Sequence, residues 1–274
     1  MIRLLRALQV VVAGVALGCT GAFAQSGKTE VLWLGQAAFR ITTPGGKVIV
    51  IDPWLVTNPK TPAQYKDLAA LGNVDAVLLT HGHFDHSANA TDVAVRYKAK
   101  MVAPPGLLDT LTSTGALPAE LQVRMNKSGI ATPIGPEIKI NMVRAEHSSD
   151  YVWKNPTTGK QETLPGGEPV GFIIELENGF KIYHMGDTGL FGDMKMIGDL
   201  YKPDLVLIPI GGNFTINAQL AAYAVREMIK PKLAIPKHYG TYPILAGKPE
   251  DFVSGLGNAP TKVFVLQPGE KVTF

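Results

Sequence analysis

The segment that most constrains this chain is Thr80-His81-Gly82-His83-Phe84-Asp85-His86, which directly follows the apolar run Val74-Asp75-Ala76-Val77-Leu78-Leu79. Four side chains of ligand type, His81, His83, Asp85 and His86, fall within six residues. The apolar run predicts a buried strand, and a strand that passes straight into a polar turn containing Gly82 aims several side chains at one point. Imidazole together with carboxylate is the donor set that borderline divalent cations such as zinc prefer. A fold that accommodates this segment closes around the end of that strand and brings further donors to it.

Such donors recur at the ends of three more predicted strands. His147 follows the run Glu137 to Arg144, Asp187 lies in Met185-Gly186-Asp187-Thr188, and His238 lies in Pro236-Lys237-His238-Tyr239-Gly240. Each stands where an apolar run gives way to a turn containing Gly or Ser, so that rigid strands position the ligands while turns leave room for water and substrate. A lone histidine is ordinarily a packed or surface residue; the cluster is what makes His147 and His238 ligand candidates. His184 is the control. Three residues before Asp187 on a strand, it should face the opposite way and act as a packed or supporting residue. Lys237 is the one cation adjacent to a ligand candidate, and in extended backbone it points away from His238.

Strand-like runs at Val31 to Leu34, Ala37 to Thr43 and Lys47 to Ile51, with Thr43-Pro44-Gly45-Gly46 as a turn, predict an opening antiparallel meander. Strands then alternate with helices: a helix from Ser87 to Lys98, a strand at Met101 to Ala103, and strands at Gln122 to Met125 and Glu137 to Arg144. Residues 148–169, rich in Gly, Pro and Thr, read as an irregular surface excursion bordering a pocket. A second alternation fills the rest, with strands at Val170 to Leu176, Lys181 to Met185, Leu205 to Pro209, Lys232 to Pro236 and Lys262 to Leu266. Helices are predicted at Gly192 to Leu200, Asn217 to Ile229 and Pro249 to Leu256. This pattern is met by an α/β fold, an αββα sandwich of two mixed β-sheets with helices on the outer faces. With no internal linker, residues 25–274 read as one domain.

The first 24 residues have the order of a secretory signal peptide: Arg3 and Arg6, a mostly apolar stretch from Ala7 to Leu17, then Ala22-Phe23-Ala24. Cleavage after Ala24 and a periplasmic or secreted protein are expected, without stable membrane insertion, because the apolar stretch is short for a span. The single cysteine, Cys19, leaves with this segment unless it is lipidated. The remaining chain then has neither disulfides nor a thiol nucleophile. The 26 basic and 23 acidic residues become 24 and 23, a near-balance that argues against a nucleic-acid partner.

His81-x-His83-x-Asp85-His86, followed in order by His147, Asp187 and His238, resembles the signature of the metallo-β-lactamase superfamily. Trp33-Leu34-Gly35, Ile51-Asp52-Pro53, Glu146-His147-Ser148-Ser149, Tyr183-His184-x-Gly186-Asp187-Thr188, Pro209-Ile210-Gly211-x-Asn213-Phe214-Thr215 and His238-Tyr239-x-Thr241-Tyr242-Pro243 are similar to the branch of metal-dependent hydrolases that includes ascorbate-phosphate lactonase-like proteins. The resemblance implies two divalent metal ions, zinc first and manganese or iron as alternatives. His81, His83 and His147 would hold one ion, Asp85, His86 and His238 the other, and Asp187 would bridge them. It also implies hydrolysis of an ester, lactone or phosphodiester bond in a small molecule by metal-bound hydroxide. Two such ions lower the pKa of a shared water from about 15.7 toward about 7. Asp85 is the candidate catalytic residue, orienting the attacking water or passing on its proton. Asp52 is expected to fix a ligand imidazole, and Asn213, Tyr239 and Thr241 are candidates for substrate contact. Where the branch commonly has His, this chain has Gln36, a poor divalent-metal ligand. The alternatives are an oxidoreductase or persulfide-type oxygenase on the same scaffold, and a non-catalytic metal-binding protein.

Overall fold

The computed structural model describes residues 27–274. The expected signal peptide, its cleavage point after Ala24 and Cys19 lie outside the described residues. Alternation of apolar side chains along the strands builds the layers. The first sheet contains β1 (Glu30–Gly35), β2 (Ala38–Thr42), β3 (Val48–Ile51), β4 (Ala76–Leu78), β5 (Lys100–Ala103) and β6 (Gln122–Arg124). The opening meander is antiparallel, and β3 through β6 run parallel. The second sheet takes β7 (Ile130–Ala131) and β8 (Lys139–Arg144). Between it and its next strands stands a separate hairpin, β9 (Asp150–Lys154) with β10 (Gln161–Pro165). The second sheet continues with β11 (Val170–Glu175), β12 (Lys181–His184), β13 (Leu205–Pro209), β14 (Leu233–Lys237) and β15 (Lys262–Val263), while β16 (Lys271–Thr273) returns to pair with β1.

One face of each sheet meets the other sheet. Val31, Trp33, Phe39, Ile49 and Ile51 interlock with Ile140, Phe172, Ile174, Leu205 and Leu207 in the central core. Their strand neighbours point outward under helices, as period-two geometry requires. Leu32, Leu34, Val50 and Val77 are covered by α2 (Ala90–Tyr97) and α3 (Pro105–Ser113), which follow the short α1 (Phe84–Ser87). Ile173, Tyr183, Val206 and Ile208 are covered by α4 (Asp193–Tyr201), α5 (Ala218–Tyr223) and α6 (Pro249–Leu256). The result is the αββα sandwich expected from the sequence.

Several local expectations are corrected. The helix expected from Ser87 to Lys98 is two helices separated at Ala88-Asn89, and the His81 to His86 segment itself supplies the start of α1, with Asp85 and His86 on its single turn. The helix expected from Asn217 to Ile229 changes at Ala224 to a π-helical stretch through Ile229. Its start is where Asn217 accepts a hydrogen bond from the Leu220 amide, 2.9 Å, as a helix cap. Residues 148–169 are not irregular: Tyr151, Val152 and Trp153 pair with Leu164, Thr163 and Glu162 across the β9–β10 hairpin. The hairpin lies on the surface and buries little, so its periodicity was masked by polar residues on both faces. Gly82 is required where it stands, because a Cβ there would meet the carbonyl oxygen of Asp150 at 2.7 Å.

Candidate metal centre

Every predicted ligand lies in the turn or short helix that follows the C-terminal end of a strand. His81 and His83 leave β4, Asp85 and His86 follow on α1, and His147, Asp187 and His238 leave β8, β12 and β14. The structure brings all seven together in two groups, each with its candidate ligand atoms within 4.8 Å of one another: His81, His83 and His147, and Asp85, His86, Asp187 and His238. In the first, His83 Nδ1 lies 3.0 Å from His81 Nε2 and 3.3 Å from His147 Nε2. In the second, Asp187 Oδ2 lies 2.9 Å from His238 Nε2 and 3.2 Å from His86 Nε2, and Asp85 Oδ2 lies 3.2 Å from His238 Nε2. Asp187 Oδ2 is also 3.9 Å from His147 Nε2, between the two groups.

The donor chemistry differs between the groups. Burial and neighbouring imidazoles push His81 well below its usual pKa and lower His83, while burial brings His147 down to about 4. Near neutral pH these rings are uncharged and present lone pairs, the state that ligates a cation. In the second group burial disfavours a charged His86, yet Asp187, Asp52 and Asp85 around it hold its pKa up to about 10. Asp85 and Asp187 stay ionised despite burial because of His86 and His238, with Lys237 adding its charge at Asp187. The second group therefore concentrates carboxylate charge on a point occupied by imidazole nitrogens. His86 Nε2 is buried there without a hydrogen-bond partner. Converging lone pairs and an unpartnered buried nitrogen fit divalent cations, and ligation by His86 would release its proton.

Supporting contacts hold this geometry. Asp52 is fully buried and accepts from the Thr80 amide (2.8 Å), the Thr80 hydroxyl (2.7 Å) and His86 Nδ1 (2.8 Å). Thr80 Oγ1 also lies 3.0 Å from His81 Nδ1, so one carboxylate orients a ligand candidate of each group. His184 stays out of both. It lies between the sheets, with Nε2 3.1 Å from the Ala37 carbonyl and Nδ1 accepting from the Gly186 amide at 3.2 Å. Gln36 faces the second group: its amide nitrogen donates to Asp85 Oδ2 at 2.9 Å and lies 2.8 Å from His238 Nε2.

Lys237, expected in extended backbone to point away from His238, reaches another ligand candidate, Asp187. His238 is left-handed, φ 59°, so strand parity ends at Lys237. The buried Lys237 ammonium donates to the Gly186 carbonyl at 2.8 Å and lies 3.4 Å from Asp187 Oδ1, behind the centre.

A pocket of about 340 Å³ opens over both groups, lined by Gln36, His83, Phe84, Asp85, His147, Ser148, Asp187, Phe214, His238, Tyr242 and Leu245. The three residues predicted to contact substrate are not among them. Asn213 is exposed in a left-handed turn that presents Phe214 instead. Tyr239 packs on Trp33, centroids 5.5 Å apart, and with Thr241 lines a neighbouring cavity. Phe84, Ser148, Phe214, Tyr242 and Leu245 were missed. Phe84 sat inside the first motif, where an aromatic among ligands was the available signal.

A family model described as the beta-lactamase superfamily domain matches residues 30–238, from the start of β1 to the last ligand candidate. A UPF0173 metal-dependent hydrolase from a Polaromonas species is 58% identical over 274 residues, covering 100% of both chains. The chain belongs to the UPF0173 metal-dependent hydrolases of the beta-lactamase superfamily. Another UPF0173 metal-dependent hydrolase, from Cupriavidus necator, is 61% identical over 251 residues, covering 91% of this chain and 87% of that one. Among solved structures, Igni18, a metallo hydrolase from the hyperthermophilic archaeon Ignicoccus hospitalis, is 32% identical with a TM-score of 0.76, covering 90% of this chain and 98% of that one. For this metal-dependent hydrolase the resemblance to the metallo-β-lactamase superfamily and the sandwich expected from the strand and helix pattern are both borne out.

Proposed function

We propose that this metal-dependent hydrolase is exported, holds two divalent ions, zinc foremost, and cleaves an ester, lactone or phosphodiester bond in a small molecule. One observation carries the reading: seven imidazole and carboxylate donors form two adjoining groups at the floor of an open pocket. His81, His83 and His147 would hold one ion and Asp85, His86 and His238 the other, with Asp187 between. Bound there, the ions supply Lewis acidity at neutral pH. Asp85 lines the pocket and stays ionised, so it can take a proton from an entering water and deliver it to the leaving group. Asp52 fixes the ring of His86, and Lys237 restrains Asp187 through the oxygen turned away from the ligand cluster.

Elemental analysis paired with a hydrolysis screen tests this, on the wild type and on Asp187→Ala. Loss of metal and rate together is the expected result. Wild-type protein that retains no divalent ion, or unchanged turnover in Asp187→Ala, would refute it. Export rests on the residue order of positions 1–24, and N-terminal sequencing of exported protein should begin at Gln25.

A further inference from the structure

We propose that the substrate carries a flat apolar group and no charged group beyond the bond that is cleaved. This rests on the hydrolytic reading above and narrows it. Apart from the ligand candidates, the pocket walls are Phe84, Phe214, Tyr242 and Leu245, with Gln36 and Ser148 as the neutral polar groups. Among the described residues no Lys or Arg lines it. Lys60 and Lys248 line a separate depression that shares only Tyr242 and Leu245 with it.

The aromatic wall is both open and held. Phe84, Phe214 and Tyr242 are 52%, 59% and 39% exposed, a concentration of large apolar surface at one pocket that marks a binding region. Phe84 packs edge-on against Trp54, centroids 5.4 Å apart, and Tyr242 stacks on the same indole at 6.1 Å. Trp54 is itself buried and tied down by a 2.7 Å hydrogen bond from Nε1 to Thr57 Oγ1. Two of the three rings are thus set before any ligand arrives, which favours a flat group that stacks or meets them edge-on. A charged tail lying along this wall, away from the ions at the floor, would lose hydration against phenyl and isobutyl groups with no cationic side chain beside it.

The test uses the purified full chain with divalent metal supplied, and p-nitrophenyl esters of acetate, hemiglutarate and 4-phenylbutyrate, which share a leaving group and differ in the tail. The 4-phenylbutyrate ester should exceed the hemiglutarate ester in kcat/KM by roughly tenfold or more, at least the discrimination that one methylene supplies in an apolar pocket. Phe214→Ala and Tyr242→Ala should each lower the phenylbutyrate-to-acetate ratio by roughly tenfold, mainly through KM. Leu220→Ala, exposed on α5 away from the pocket, should leave that ratio unchanged. Equal rates for the two long esters, or a ratio that neither variant moves, overturns the proposal. Binding provides an independent arm: 4-phenylbutyramide and glutaramate are titrated by saturation-transfer NMR. Tighter binding of the phenyl amide, weakened in Phe214→Ala, supports the proposal even if no ester turns over, in which case the ester branch of the hydrolytic reading falls alone. Glutaramate binding as tightly as the phenyl amide overturns it.

Discussion

Asp52→Asn should uncouple the second donor group from the first without disturbing the sandwich. Asp52 Oδ1 accepts from the Thr80 amide, and Oδ2 accepts from the Thr80 hydroxyl and from His86 Nδ1–H at 2.8 Å, all in a fully buried setting. In the amide, Oδ1 keeps the Thr80 bond while an NH2 donor replaces Oδ2. Donor then faces donor, and His86 is relieved only by moving its proton to Nε2. That nitrogen lies 3.2 Å from Asp187 Oδ2, on the side where its lone pair is needed for ligation. Losing a charge-assisted hydrogen bond costs about 1.5–3 kcal/mol. Altered orienting partners lower metal affinity about 10–100-fold, or about 1.4–2.7 kcal/mol. Chelator competition with zinc should show the ion held with His86 weakened within that range and the other, whose His81 meets Asp52 only through the Thr80 hydroxyl, weakened less. Two ions both within twofold of wild-type affinity would refute the tautomer argument.

Lys237→Met should destabilise the metal-free protein by about 1.5–3 kcal/mol, because Asp187 loses one of the cations around it while His86 and His238 remain. Urea unfolding should show most of that loss recovered at saturating zinc, and an equal loss with and without zinc would count against it. Stability of the metal-free protein should peak near neutral pH. Above pH 6.5, the ordinary histidine value, it should fall until about 10, because His86 is protonated in the fold and deprotonated in the unfolded chain. Below 6.5 it should also fall, because buried His184, held down to about 3, and His147, held to about 4, resist the protons that the unfolded chain binds. Each proton so displaced contributes about 1.4 kcal/mol per pH unit. Denaturant melts across pH 4 to 10 check both limbs, and a flat profile contradicts them.

The two sheets and most strands were readable from apolar runs because buried strands carry the strongest periodic signal, and the ligand candidates because each ended such a run. What escaped reading depended on tertiary contact. Three-residue β16 acquires its identity only by pairing with β1. α3 begins at Pro105, and its apolar residues Leu107, Leu108 and Leu111 show their face only against the outer side of the first sheet. The contact of Lys237 with Asp187 was missed because a left-handed residue next to that lysine breaks the parity of a strand, and sequence marks such a position clearly only when it is glycine. The pocket walls were missed for a related reason. Asn213 and Tyr239 look functional by residue type, whereas Phe214 and Tyr242 line the pocket by the direction in which their loops turn.

Each donor group draws on both leaves of the sandwich, since His81, His83, Asp85 and His86 follow the first sheet and His147, Asp187 and His238 follow the second. A cation seated there is a removable cross-link between two halves otherwise joined by oily contacts. Its binding energy adds directly to the resistance of those halves to parting, in proportion to the logarithm of free ion concentration. The lifetime of this hydrolase against proteases would then follow the metal supply of its surroundings.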